Sequence, residues 1–157
     1  MPNEHCYVLA RGGGWFLIQK ISEFHLDGFS LIAEQTVESI RYNKFDKKLE
    51  QILVFGGVDK KVQSYELSLN GNIRLFGQLM NSGQLISLED EADDGRYVIG
   101  KIRKVQKKQV SFQHFDAAGK WFKRNTVFEY SEMTKVSFGG EYEIMWQRYL
   151  EEGGAIL

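Results

Sequence analysis

Gly95-Arg-Tyr-Val-Ile-Gly100-Lys-Ile102-Arg-Lys-Val105 is the stretch on which the fold reading turns. Asp93-Asp94-Gly95 marks a turn, and 97–105 reads as a strand. A glycine inside a strand weakens it unless the backbone must bend there, so Gly100 predicts a sharply bent sheet. Outward from this stretch, strand-like segments fall at 85–88, 110–115, 121–129 and 133–138. Lys107-Lys108, Ala118-Gly119-Lys120 and Ser131-Glu132 separate them as turns. Upstream, Ile73, Phe76, Leu79 and Met80 repeat at helical spacing, with Asn72 as N-cap and Gly83 as C′ glycine. Downstream, Gly139-Gly140 closes the last strand, and Tyr142, Met145, Trp146, Tyr149 and Leu150 share one face of a terminal helix.

The N-terminal half repeats this order in shorter form. Strands are expected at 6–10, 15–24, 29–33 and 36–42, with a Gly12-Gly13-Gly14 turn and an Asp27-Gly28 hairpin signal. Phe45, Leu49, Ile52 and Leu53 fall on one helix face, which Gly56-Gly57 ends. Residues 58–71, VDKKVQSYELSLNG, read either as a strand with a loop or as an extended connection. Segment 16–21 aligns with 97–102 and segment 37–42 with 133–138, each pair leading into an amphipathic helix. Such self-similarity points to a degenerate tandem. The expected division is a first small β domain over 1–57, a connection over 58–71, and a second β domain with a terminal helix over 72–157. One continuous β-rich domain is the alternative.

The order of a helix and then five short strands over 72–138, together with Gly95, Gly100, Ile102 and Val105, resembles the Sm/Lsm family of small, strongly bent barrels. The resemblance implies a mainly β chain with a few helices, built as two Sm-like or SH3-like barrels in tandem, and it implies RNA binding. The family's polar base-reading positions are not kept. Gln106 and Val110 stand where its first motif has Asp and Asn, and Phe138 stands where its second has Arg.

The chain has 157 residues, 43% hydrophobic and 26% charged, enough to bury a sizeable core. Cys6 is the only cysteine, which rules out an internal disulfide and a cysteine-based zinc cage and makes a reducing cytoplasm the expected compartment. No apolar run is long enough to span a bilayer, and the N-terminus lacks a signal-peptide pattern, so no membrane association is expected. The net charge of −1 conceals a division. Residues 96–124 carry nine basic groups and one acidic, whereas 1–95 carry nine and fourteen, and 125–157 two and six.

Lys101, Arg103, Lys104, Lys107 and Lys108 cluster around one expected hairpin, and Lys120, Lys123 and Arg124 lie on the next. Tyr97, Phe112, Phe115, Trp121 and Phe122 are interleaved with them. Cations beside stacking aromatics are the chemistry of single-stranded nucleic-acid binding. The competing reading is a solvated hairpin edge blunted by lysine. In it, Phe112 is core, because Val110, Phe112 and His114 share a strand face. The acidic run 89–94 lacks the ligand spacing of a calcium loop and is expected to lie against the basic hairpins or in a solvated turn. His5, His25 and His114 lack metal-site spacing. His5 and Cys6 point to opposite strand faces, and no phosphate-binding loop or nucleophile elbow is present. No catalytic residue, cofactor or metal is expected. The expected function is therefore non-enzymatic binding of RNA or another nucleic acid through Lys101, Arg103, Lys104, Lys107 and Lys108, with Trp121 as a stacking surface. The alternative is a protein-interaction or self-association module using Tyr142 and Trp146 of the terminal helix.

Overall fold

The computed structural model describes residues 4–92 and 95–153. Its strands are β1 (Cys6–Gly12), β2 (Trp15–Ser22), β3 (His25–Ala33), β4 (Ile86–Asp90), β5 (Arg96–Val105), β6 (Gln109–His114), β7 (Thr126–Glu129) and β8 (Met133–Phe138). Helices α1 (Lys44–Phe55) and α2 (Asn72–Asn81) lie between β3 and β4, and α3 (Glu141–Arg148) follows β8. The strands form one antiparallel sheet in the order β1-β2-β3-β8-β4-β5-β6-β7.

The chain is thus mainly β, but it is not two barrels in tandem. The eight-stranded sheet is open, with β1 and β7 as its edges. β8 lies between β3 and β4: Val136 is opposite both Leu31 and Leu88, and Phe138 opposite both Phe29 and Ile86. A separate first barrel would need 36–42 as a closing strand. Instead a 3-10 turn (Glu34–Thr36) leads into unpaired chain, and Ile40 and Tyr42 are exposed. The free edge of β3, a liability if left bare, is satisfied by β8.

Both faces of this sheet carry packed residues. On one, Trp15, Leu17, Leu31, Ile86, Leu88, Ile102, Val110, Phe112, Phe128, Val136 and Phe138 form the main core with Leu75, Phe76 and Leu79 of α2. Tyr65, Leu67 and Leu69 of the strandless connection pack against the same core. The opposite face carries two separate clusters: Phe16, Ile18 and Ile32 near α1, and Leu85, Ile99 and Phe115 beneath α3. Between them runs a polar seam. Ser30 and Ser137 share a 2.8 Å hydrogen bond, and Ser87 donates to the buried Glu143 carboxylate of α3 at 3.2 Å.

Several local expectations change in this context. The β2–β3 turn falls at Glu23-Phe24, with Ser22 paired to His25. Gly28 lies within β3, where a Cβ would come within 2.4 Å of the Gly140 nitrogen. Its glycine thus serves a close approach of two segments and not a hairpin turn. Asn72 is the first residue of α2 and not its N-cap, which is Gly71; the Asn72 side chain accepts from the Trp15 indole at 2.9 Å. Of 121–129 only Thr126–Glu129 is a strand, and Trp121 makes an isolated bridge with Phe115. Gly100 lies where the backbones of β5 and β6 come close. A Cβ there would lie 2.0 Å from the Gln113 carbonyl oxygen, so β5 and β6 approach to a distance only glycine allows.

Candidate nucleic-acid interface

The five candidate cations occupy one hairpin. Alternation sends Val98 and Ile102 of β5 into the main core, which turns Lys101 outward opposite Gln113. A bulge between Ile102 and Lys104 resets the pattern, so that Arg103 and Lys104 are both exposed while Val105 packs inward. The bulge therefore adds a cation to the open face without moving one into the core. Lys107 and Lys108 form the exposed two-residue turn closed by the Gln106–Gln109 backbone hydrogen bond of 2.9 Å. Tyr130 holds this turn from the β7 side. Its hydroxyl donates to the Gln106 carbonyl at 2.7 Å, and its amide to the Lys108 carbonyl at 3.0 Å. Burial pushes the Tyr130 hydroxyl up to about 12, so it stays a proton donor at neutral pH.

None of Lys101, Arg103, Lys104, Lys107 and Lys108 forms an ion pair among the described residues. The acidic run goes elsewhere. Asp90, with its side chain fully buried, takes a two-pronged hydrogen bond from Arg96 at 2.9 and 2.5 Å, and Glu89 sits opposite Lys135 in the β4–β8 ladder. Asp93 and Asp94 lie outside the described residues. Arg96 is consumed by this pairing and by its place 4.1 Å over the Phe128 ring.

Trp121 is partly buried and committed to neighbours. Its ring meets Phe115 edge-on at 5.0 Å, and the Arg103 guanidinium lies 5.8 Å from its centroid. Phe115 continues to Trp146 at 4.9 Å and Trp146 to Tyr149 at 5.9 Å. A chain of rings thus connects the cationic face to α3. Phe122, 46% exposed and packed on His114 at 4.7 Å, presents more ring than the partly buried Trp121 does. Burial, and then the Arg96 charge, hold the His114 imidazole below its ordinary value, so it adds no charge at neutral pH.

On α3 both expected interaction residues, Tyr142 and Trp146, line one groove. Trp146 also caps the Leu85–Ile99–Phe115 cluster. Tyr142 and Met145 are exposed and, with Tyr149, Ala117 and Ala118, line the same groove, of about 700 Å³.

No protein-family model, curated protein or solved structure matches the chain. Among the described residues no cluster of His, Cys, Asp and Glu could hold a metal ion, and no helix is long and apolar enough to cross a membrane.

Proposed function

We propose that the protein is a non-enzymatic, cytoplasmic binder of single-stranded RNA that uses the β5–β6 hairpin. One observation carries the reading: five cations without carboxylate partners gather on the open face and tip of a single hairpin, beside Trp121 and Phe122. The backbone charge is met by Lys101, Arg103, Lys104, Lys107 and Lys108. No base-reading set accompanies them, so binding is sequence-tolerant and driven by counterion release. Five phosphates neutralised on a single strand give a slope of log affinity against log salt near −3.5, about 0.7 per contact. Fluorescence anisotropy with a mixed-sequence single-stranded RNA tests this. Affinity is expected to fall roughly 100-fold between about 50 and 200 mM salt, and the K101Q/R103Q/K104Q variant should flatten the slope by about 2. No retention at about 50 mM salt overturns the reading.

A second reading, docking of a protein partner on α3, is favoured by the exposed Tyr142 and Met145 of the groove. Tyr142→Ala with Met145→Ala tests it without disturbing Trp146, whose ring also packs against the Leu85–Ile99–Phe115 cluster. Loss of a captured partner on that double substitution supports this reading; unchanged capture ends it.

A further inference from the structure

A second feature lies at the other end of the same sheet face. Where α1 stands over β1–β3, the structure leaves a half-open cleft of about 500 Å³. Its floor is the buried trio Phe16, Ile18 and Ile32, and Cys6, Leu49 and Leu53 line it as well. The space has a structural origin. Only Leu53 of α1 is fully buried, Phe45 and Ile52 of the same helix point to solvent, and the unpaired chain at 37–43 arches over the sheet instead of joining it. A cavity of this size with apolar walls falls within the range of small-molecule sites.

The polar groups at its walls have a sign. Glu4, Glu38, Asp46 and Glu50 line it with a single arginine, Arg41. Glu4 is neutralised by Lys135 and Asp46 by Arg41, and Glu50 accepts only the neutral Tyr42 hydroxyl. Glu38 has no partner among the described residues. Two exposed carboxylates at the cleft's rim are therefore left without a counter-charge. We infer that this cavity binds a small hydrophobic amine, its apolar body over Phe16, Ile18 and Ile32 and its ammonium group at Glu38 and Glu50. A fatty carboxylate of equal length would meet like charge there and is disfavoured. The site does not depend on the RNA reading, since it shares none of the hairpin residues.

Cys6, the sole cysteine, lines the cavity and serves as a built-in reporter. In the full-length protein its alkylation by iodoacetamide is followed with and without decylamine, decanoate or decanol. With decylamine at about ten times its Kd, labelling is expected to slow roughly tenfold by mass action, while decanoate at equal concentration protects several-fold less. Leu49→Trp, which fills the cavity from its wall, should abolish protection. Val37→Phe is the substitute if that variant does not fold. Glu38→Gln with Glu50→Gln should lower decylamine affinity roughly two- to tenfold and leave decanol unchanged. No protection by decylamine, or equal protection by decanoate, overturns the inference. So does protection that survives in a folded cavity-filled variant.

Discussion

Replacing glycine by alanine at two positions should move stability in opposite directions. Gly77 lies inside α2, and a Cβ there would meet nothing within 4 Å. Alanine at that position gains helix propensity and loses unfolded-state entropy, so Gly77→Ala is expected to stabilise by about 0.5–1 kcal/mol. Gly100 gains the same unfolded-state entropy, about 0.4–1 kcal/mol where the native backbone tolerates a side chain. Here it does not. The new methyl would lie 2.0 Å from the Gln113 carbonyl oxygen and 2.6 Å from the His114 Cα, both backbone atoms. β5 and β6 must separate, which costs overpacking strain of about 1–3 kcal/mol and weakens ladder hydrogen bonds of about 1 kcal/mol each. The net expectation for Gly100→Ala is a loss of about 2–4 kcal/mol. In a chain of this length 1 kcal/mol corresponds to roughly 2–4 °C, so Gly77→Ala should raise Tm by a few degrees and Gly100→Ala lower it by roughly 5–15 °C. Urea and thermal unfolding followed by far-ultraviolet circular dichroism measure both. A Gly100→Ala protein as stable as the parent would refute the close β5–β6 approach, and with it the placement of the cationic hairpin.

Two further outcomes follow from buried charge. Asp90→Ala removes the buried carboxylate that takes both Arg96 hydrogen bonds and is expected to cost about 3 kcal/mol, seen as a lower urea midpoint with an unchanged slope; a loss below about 0.5 kcal/mol would mean the pair is solvated. His114, whose folded-state value lies below its ordinary one, resists protonation in the fold. Its contribution is therefore fully present above about pH 6.5 and declines as pH falls through that value, so stability should drop between about pH 7.5 and 5 and drop less in His114→Gln.

Parts of the second half were legible where a signal has one meaning. Phe112, 0% exposed, was core from its alternation with Val110. The failures come from signals with two meanings or from partners distant in sequence. Asp27-Gly28 reads as a hairpin turn, yet the glycine is required by a backbone 112 residues away, at Gly140. Val37 to Tyr42 alternates like a strand but finds no edge, because β8 occupies that of β3. That competition between two candidate strands for one edge is a tertiary fact that propensity does not encode. The hairpin cations were readable as a cluster, whereas the commitment of Trp121 to Phe115 and the space beneath α1 depend on how elements stand over the sheet.

A net charge of −1 bears on a polyanion only through where each carboxylate is placed. Asp90 and Arg96 cancel inside the fold, which removes one cation from the basic segment and one anion from the run before it. Glu4 and Lys135 cancel likewise, far along the chain from the hairpin. What is left on β5, β6 and β7 after these cancellations is Lys101, Arg103 and Lys104, with Lys107 and Lys108 at the tip, against the single exposed carboxylate Glu129. Glu129 lies opposite Gln109 at the sheet edge, beside the Lys107-Lys108 turn. Among the described residues of these three strands it is the one whose charge opposes a bound phosphate. Glu129→Gln should therefore tighten RNA binding several-fold at about 50 mM salt and have little effect at about 500 mM, where the Debye length is shorter than the spacing of these groups. Weaker RNA binding in that variant would place the phosphate track on the other side of the hairpin, away from β7.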